Sequence, residues 1–246
     1  MNIGMYQSAA SMIALERWQD AVSQNITASQ VAGFKKRTVD FSGIAMGEIN
    51  VGTGSKTEVQ SAVLPKATYG INFQAGETHT TGRNLDVALQ GEGFFEVETA
   101  AGDHAYTRSG EFHIRADRTL STTNGSPVLS DGGSPITVQP QGGEISIGPD
   151  GLVTQGDAQL GRVGVVKFPN NALLTPTGAG YFMPQAGMTA TPVDKPQVIQ
   201  GFLEGSNVSP LREMVALIQI ARAYESNQKL ITSRDQTLAK VLETLG

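Results

Sequence analysis

The stretch "MVALIQIARAYESNQKLITSRDQTLAKVLETLG", Met214 to Gly246, has no proline, and its only glycine is its last residue. Met214, Leu217, Ala221, Tyr224, Gln228, Ile231, Asp235, Leu238 and Leu242 recur in alternating steps of three and four, which places them on one side of a helix. Ser209-Pro210, just upstream, supplies an N-cap residue and a proline suited to the first helical position. A continuous helix from Pro210 would be roughly 50 Å long. Such a helix is marginal in water unless its apolar stripe is covered. Each well-buried Leu, Ile or Met contributes roughly 1.5–3 kcal/mol, so the stripe demands a partner.

The other long helical stripe lies at the opposite end, within residues 2–29. There Met5, Ser8, Met12, Leu15, Gln19, Val22 and Ile26 keep the same three–four alternation. A coiled-coil pairing of the two chain ends is the economical solution, and Gln228 and Asp235 suit a seam whose register is fixed by polar residues. The alternative is a tail helix folded back on the chain's own sheet. In "QVAGFKKR", Gly33 is expected as a left-handed helix exit, followed by solvated Lys35, Lys36 and Arg37.

Between the ends the text changes. Residues 35–81 are rich in Gly, Thr and Ser with weak alternation, and are expected to form an extended arm with a few strands. Residues 82–200 read as β-structure: Leu85, Val87 and Leu89 alternate with small or polar residues, and Phe95 and Val97 share a face. Turn signals such as "TTNGS", "SDGGS" and "GPDG" follow at short intervals, as in an antiparallel sandwich or irregular barrel. The expected fold class is therefore α+β. N- and C-terminal helices (1–34 and 201–246) pair as a coiled coil, an arm spans 35–81, and a mainly antiparallel β-domain spans 82–200.

Composition narrows the function. The formal net charge of −5 gives no reason to expect nucleic acid. The absence of cysteine excludes disulfides, thiolate metal sites and Cys nucleophiles. The longest apolar run, "MVALI", is far too short to span a bilayer. A basic n-region is missing ahead of Arg17, so no conventional secretory signal is expected.

A catalytic constellation does not emerge either. Asp103, His104 and Ser109 share one probable hairpin, where close neighbours seldom reach triad geometry. "GEG" at Gly91–Gly93 has no helix after it and reads as a turn rather than a phosphate loop. No enzyme activity, cofactor or metal is expected. A glycan-binding β-module is the competing class, but it would need an aromatic platform, and the single Trp18 lies in the head helix.

Several stretches carry a resemblance. "NITASQVAGFKKR" (25–37), "GRNLDVALQGEGFFEV" (82–97), "YTRSGEF" (106–112), "ISIGPDGLV" (145–153) and "GFLEGSNVSPLREMVALIQIARAYESNQKLI" (201–231) occur in an order spanning nearly the whole chain. In this the sequence resembles the bacterial flagellar axial proteins of the basal-body rod and hook-basal-body family. It departs from the usual head motif at Ala28 and Val31, and it lacks the long central insertion of a hook protein.

The resemblance implies a structural subunit of a helical tube, with paired terminal helices inside and the β-domain outside. Its implied partners are further copies of itself, other rod proteins, the type III export apparatus and the surrounding basal-body rings. The implied location is the periplasmic rod, reached without a cleaved signal peptide. No nucleic acid and no membrane insertion are implied. The residues then expected to meet neighbouring subunits are Met5, Met12, Leu15, Val22, Asn25, Ile26, Gly33 and Phe34 near the head. Toward the tail they are Asn207, Met214, Leu217, Ala221, Tyr224, Gln228, Ile231, Leu238 and Leu242.

Overall fold

A computed structural model describes residues 3–51, 58–178 and 180–245. The chain divides into two units, each discontinuous in sequence. One comprises Met1–Thr27, Arg37–Asn72 and Ser209–Gly246; the other comprises Ala28–Lys36 and Phe73–Val208.

The first unit holds helix α1 (Ile3–Thr27), strands β1 (Arg37–Val51) and β2 (Glu58–Ile71), and helix α2 (Pro210–Leu245). β1 and β2 pair antiparallel from Arg37↔Ile71 to Val51↔Glu58, with a bulge between Ala45 and Glu48. β1 and β2 thus form one long antiparallel pair packed on α1, where the sequence suggested an extended arm with a few strands. Trp18 meets Phe41 edge-to-face at 5.7 Å. Two α1 side chains cap the outer edge of β2: Gln7 donates to the Val63 carbonyl at 3.2 Å and Arg17 to the Ala67 carbonyl at 3.0 Å. The pattern was faint because this strand pair buries little; Phe41, Ile44, Val63 and Tyr69 all stay exposed.

α2 packs along α1. The contact between Asn25, at the end of α1, and Glu213, in the first turn of α2, sets the two helices antiparallel. With 25 and 36 residues they run to about 37 and 54 Å. The end of α2 therefore reaches past the start of α1.

The second unit is the β-domain. Its strands are β3 (Thr78–Thr80), β4 (Val87–Gln90), β5 (Phe94–Glu98), β6 (His104–Thr107), β7 (Phe112–Ile114) and β8 (Leu120–Thr122). They continue as β9 (Ile145–Ile147), β10 (Leu152–Gln155), β11 (Ala158–Arg162), β12 (Val165–Lys167), β13 (Leu174–Gly178) and β14 (Tyr181–Pro184). Last come β15 (Thr191–Pro192), β16 (Gln197–Gln200) and β17 (Phe202–Glu204). The largest sheet runs β13-β14-β6-β5-β12-β15, every neighbour antiparallel. Smaller antiparallel sheets, β11-β10-β9, β16-β4, β17-β3 and β7-β8, surround one core. Phe95 and Val97 are both fully buried there, as their alternation predicts, and Phe95 meets Phe112 edge-to-face at 5.4 Å.

The fold class is thus α+β with antiparallel strands, but the unit boundaries differ from the sequence-based division. Ala28–Lys36 and Phe73–Thr81 join the β-domain, and its last strand, β17, ends at Glu204, beyond the expected limit at 200.

Candidate assembly site

The motif residues at the two chain ends converge on two buried polar nodes, one inside each unit. In the helical unit the node is Asn25, which is fully buried in the last turns of α1. Its amide nitrogen donates to the Arg37 carbonyl at 2.8 Å and to Glu213 Oε2 at 3.0 Å, while its Oδ1 accepts the Arg37 N–H at 2.8 Å. The side chain thus imitates the paired donor and acceptor of a neighbouring strand, and it clasps the first residue of β1. An ionised Asp of the same size would offer acceptors alone, and Gln, the other amide, is one methylene longer.

In the β-domain the node is Lys35, Arg108 and Glu204. Lys35 Nζ lies 2.5 Å from Glu204 Oε1 and donates to the Gln74 carbonyl at 2.8 Å. Arg108 Nε sits 3.7 Å from Glu204 Oε2. Its guanidinium also donates to the carbonyls of Leu89 and Gly91, and it lies over the Phe94 ring at 5.8 Å. All three side chains are almost wholly buried.

Burial pushes the Lys35 ammonium below its ordinary pKa, against the raising influence of Glu204. Burial likewise lowers Arg108, again opposed by Glu204. One carboxylate therefore serves two desolvated cations, and Glu204 is the member whose loss would strand the others.

Glycine makes this crowding possible. Gly33 has φ +69°, and a Cβ there would lie 2.3 Å from the Arg108 carbonyl carbon. It is not the exit of α1, which ends at Thr27; its left-handed backbone lets the chain press flat on residues 108–109. Asn207 completes the node, its Oδ1 accepting the Lys36 N–H at 2.7 Å and its amide donating to the Gln74 carbonyl at 2.8 Å. Phe34 is half-buried beside it, accepting the Asn207 N–H at 3.4 Å. Lys35 is accordingly a buried ion-pair member, not the solvated charge that its setting in "FKKR" suggested.

The expected interface residues therefore separate. Val22, Asn25 and Gly33 are buried inside their own units, and Phe34 and Asn207 serve the node. Met5, Met12, Leu15, Ile26, Leu217 and Ile231 are half-buried. Met214, Ala221, Tyr224 and Gln228 are exposed; the side chains of Leu238 and Leu242 lie outside the described residues.

The covered face of α2 instead follows Glu213, Leu217, Ile220 and Asn227, turned about one residue from the stripe read in the sequence. The first turns of α2 are apolar nearly all round, so periodicity alone could not select the face. The opposite side leaves Leu211 (73% exposed), Met214 (51%), Val215 (49%) and Ile218 (55%) in solvent.

His104 Nδ1 pairs with Glu96 Oε1 at 2.8 Å rather than with Ser109, whose N–H donates to Thr107 Oγ1. Among the described residues no group of His, Asp and Glu could hold a metal ion, and no helix is long and apolar enough to cross a membrane. Glu204, Arg108 and Glu213 escaped sequence reasoning; their only signal was their place inside the motifs "LEGSN", "YTRSGEF" and "PLRE".

Known proteins resemble this chain along nearly its whole length. Residues 88–155 match the flagellar hook protein FlgE/F/G D1 domain, and residues 199–244 match the flagellar basal body rod FlgEFG protein C-terminal domain. The flagellar basal-body rod protein FlgF of Caulobacter vibrioides is 33% identical over 249 residues, covering 100% of this chain and 99% of the relative. FlgF of Rhizobium meliloti is 32% identical over 100% of this chain and 99% of its own length. The rod protein FlgG of Bacillus subtilis is 31% identical over 97% of each. Matched at 31–33% identity over nearly the whole of its own length and of theirs, this chain belongs to the flagellar basal-body rod protein family.

Proposed function

We propose that this chain is a structural, non-enzymatic subunit of the flagellar rod that polymerises through its terminal helices, with α1 and α2 acting as a coiled coil. Its partners are further copies of itself and other rod proteins, with the basal-body rings as outer neighbours. It reaches the periplasmic rod through the type III export apparatus without a cleaved signal peptide. The wording "LEGSNVSP" favours the proximal rod position over the distal one. Alignments to the FlgF relatives named above need few gaps, 249 and 248 positions for 246 residues, whereas the FlgG of Bacillus subtilis needs 259.

The observation that carries this reading is the apolar face of α2 formed by Leu211, Met214, Val215 and Ile218, which a single chain leaves in water. Four such side chains together represent several kcal/mol of burial that only another subunit can supply. Ile218→Asp tests it. The variant should keep its helical circular dichroism and its thermal midpoint, while cells carrying it build no complete rod and lose motility. Normal basal bodies in those cells would refute the reading.

A further inference from the structure

Among the uncovered apolar groups of the helical unit are two strips on the helices, and they do not match each other. On α2 the strip is Leu211, Val215 and Ile218; on α1 it is Tyr6 (63% exposed), Ala9 and Ile13 (56%). At 100° per residue, each lies on the side of its helix turned away from that helix's buried residues.

They also lie at different heights. The Asn25–Glu213 contact makes residue 25 level with residue 213 in the antiparallel pair. Counting back along α1, Ile13 is level with about residue 225, roughly ten residues beyond Val215. The strips are therefore separated by about 15 Å along the helix axis.

We infer that the α2 strip of one copy seats on the α1 strip of the next copy, antiparallel and displaced by about 15 Å along the axis. This rests on the polymerisation proposed above and adds its register. In a filament whose copies all point one way, α2 of one copy runs opposite to α1 of its neighbour, because the two run oppositely within each copy. Setting Ile13 against Val215 then brings Glu16 level with Arg212 and Tyr6 level with Arg222.

All four of these flanking residues are exposed, and neither Glu16 nor Arg212 forms an ion pair among the described residues. The charges are thus opposite at one end of the seam, and a guanidinium faces a tyrosine ring at the other. Two unlike surfaces joined with an axial offset form a heterologous contact that propagates instead of closing on itself. The occupant of each strip is a second copy of this chain.

The chain has no cysteine, so engineered thiols report unambiguously. Cells producing full-length Ile13→Cys and Val215→Cys variants together should, on mild oxidation, yield a disulfide joining the two variants. Each variant alone should yield none. The double variant should give a ladder of covalent multimers, since an offset of about 15 Å forbids the bond within one copy. Glu16→Arg should reduce the cross-linked fraction about two- to fivefold, the scale of one exposed ion pair, and adding Arg212→Glu should restore it.

Same-variant dimers, a cross-link to a protein of different mass, or no cross-link would each overturn the register. Whether the unmodified chain sediments as an assembly is read separately. A sedimenting chain without the cross-link refutes the register alone, whereas a chain that never leaves the monomer refutes polymerisation as well.

Discussion

Gly33 shows how little freedom a motif residue has once its neighbours are known. Its left-handed φ of +69° strains any L side chain, and a Cβ would collide with backbone at 2.3 Å rather than with a yielding side chain. Gly33→Ala should therefore cost about 3 kcal/mol or more, read as a lowered denaturation midpoint. The Lys35–Glu204–Arg108 node makes an asymmetric prediction. Glu204→Gln leaves Lys35 without its counter-charge and Arg108 with only the exposed Glu92, and should cost roughly 3–5 kcal/mol, whereas Lys35→Met leaves Glu204 with Arg108 and should be far milder.

The node also has a pH signature. The folded-state pKa of Lys35 is lowered, so protonating it costs more in the folded than in the unfolded chain. That penalty is present in full below the lowered value and is relieved as pH rises from it toward the ordinary value of about 10.4. Wild-type stability should accordingly gain on that of Lys35→Met as pH rises through that window and run parallel to it at lower pH. Parallel curves at every pH would show that Lys35 titrates alike in both states.

At the scale of elements, α2 was legible in its start, length and amphipathicity. Ser209-Pro210 announced the first turn, and nothing interrupts the helix up to Leu245. Its covered face was not legible, because Leu211, Met214, Val215, Leu217, Ile218 and Ile220 surround its first turns with apolar groups. The buried Asn25–Glu213 pair, separated by 188 residues, marks the side that meets α1. A few strands were expected ahead of the β-domain, but the long β1–β2 pairing was not legible for a related reason: its edge is closed by Gln7 and Arg17, polar residues of a different element. Periodicity reports burial, and this strand pair is stabilised largely by its own ladder.

The face assignment is testable in dispersed chains. Ile220→Ala, at a site 2% exposed, should cost about 2–4 kcal/mol. Ile218→Ala, two residues away and mostly exposed, should change stability by less than about 0.5 kcal/mol.

At the scale of the whole molecule, each unit is interrupted by the other. The helical unit contains Phe73–Val208 as an insertion, and inside the β-domain the two ends of that insertion are tied by the Asn207–Gln74 hydrogen bond at 2.8 Å. While the β-domain is folded, the helical unit sees the insertion as a short link. Once it unfolds, the same unit must close a loop of roughly 136 residues, at an entropic cost of about 5 kcal/mol. The cost falls on α2 and its docking to α1, since α2 lies beyond the insertion.

Trp18 is the chain's single tryptophan and belongs to the helical unit, so its fluorescence follows that unit alone. Glu204→Gln alters only the β-domain node, yet it should lower the midpoint reported by Trp18 together with the midpoint of the β-sheet signal. If the Trp18 transition stays in place while the β-domain melts early, the loop is closed by something other than the folded β-domain. The nesting of the two units would then carry no stabilising weight.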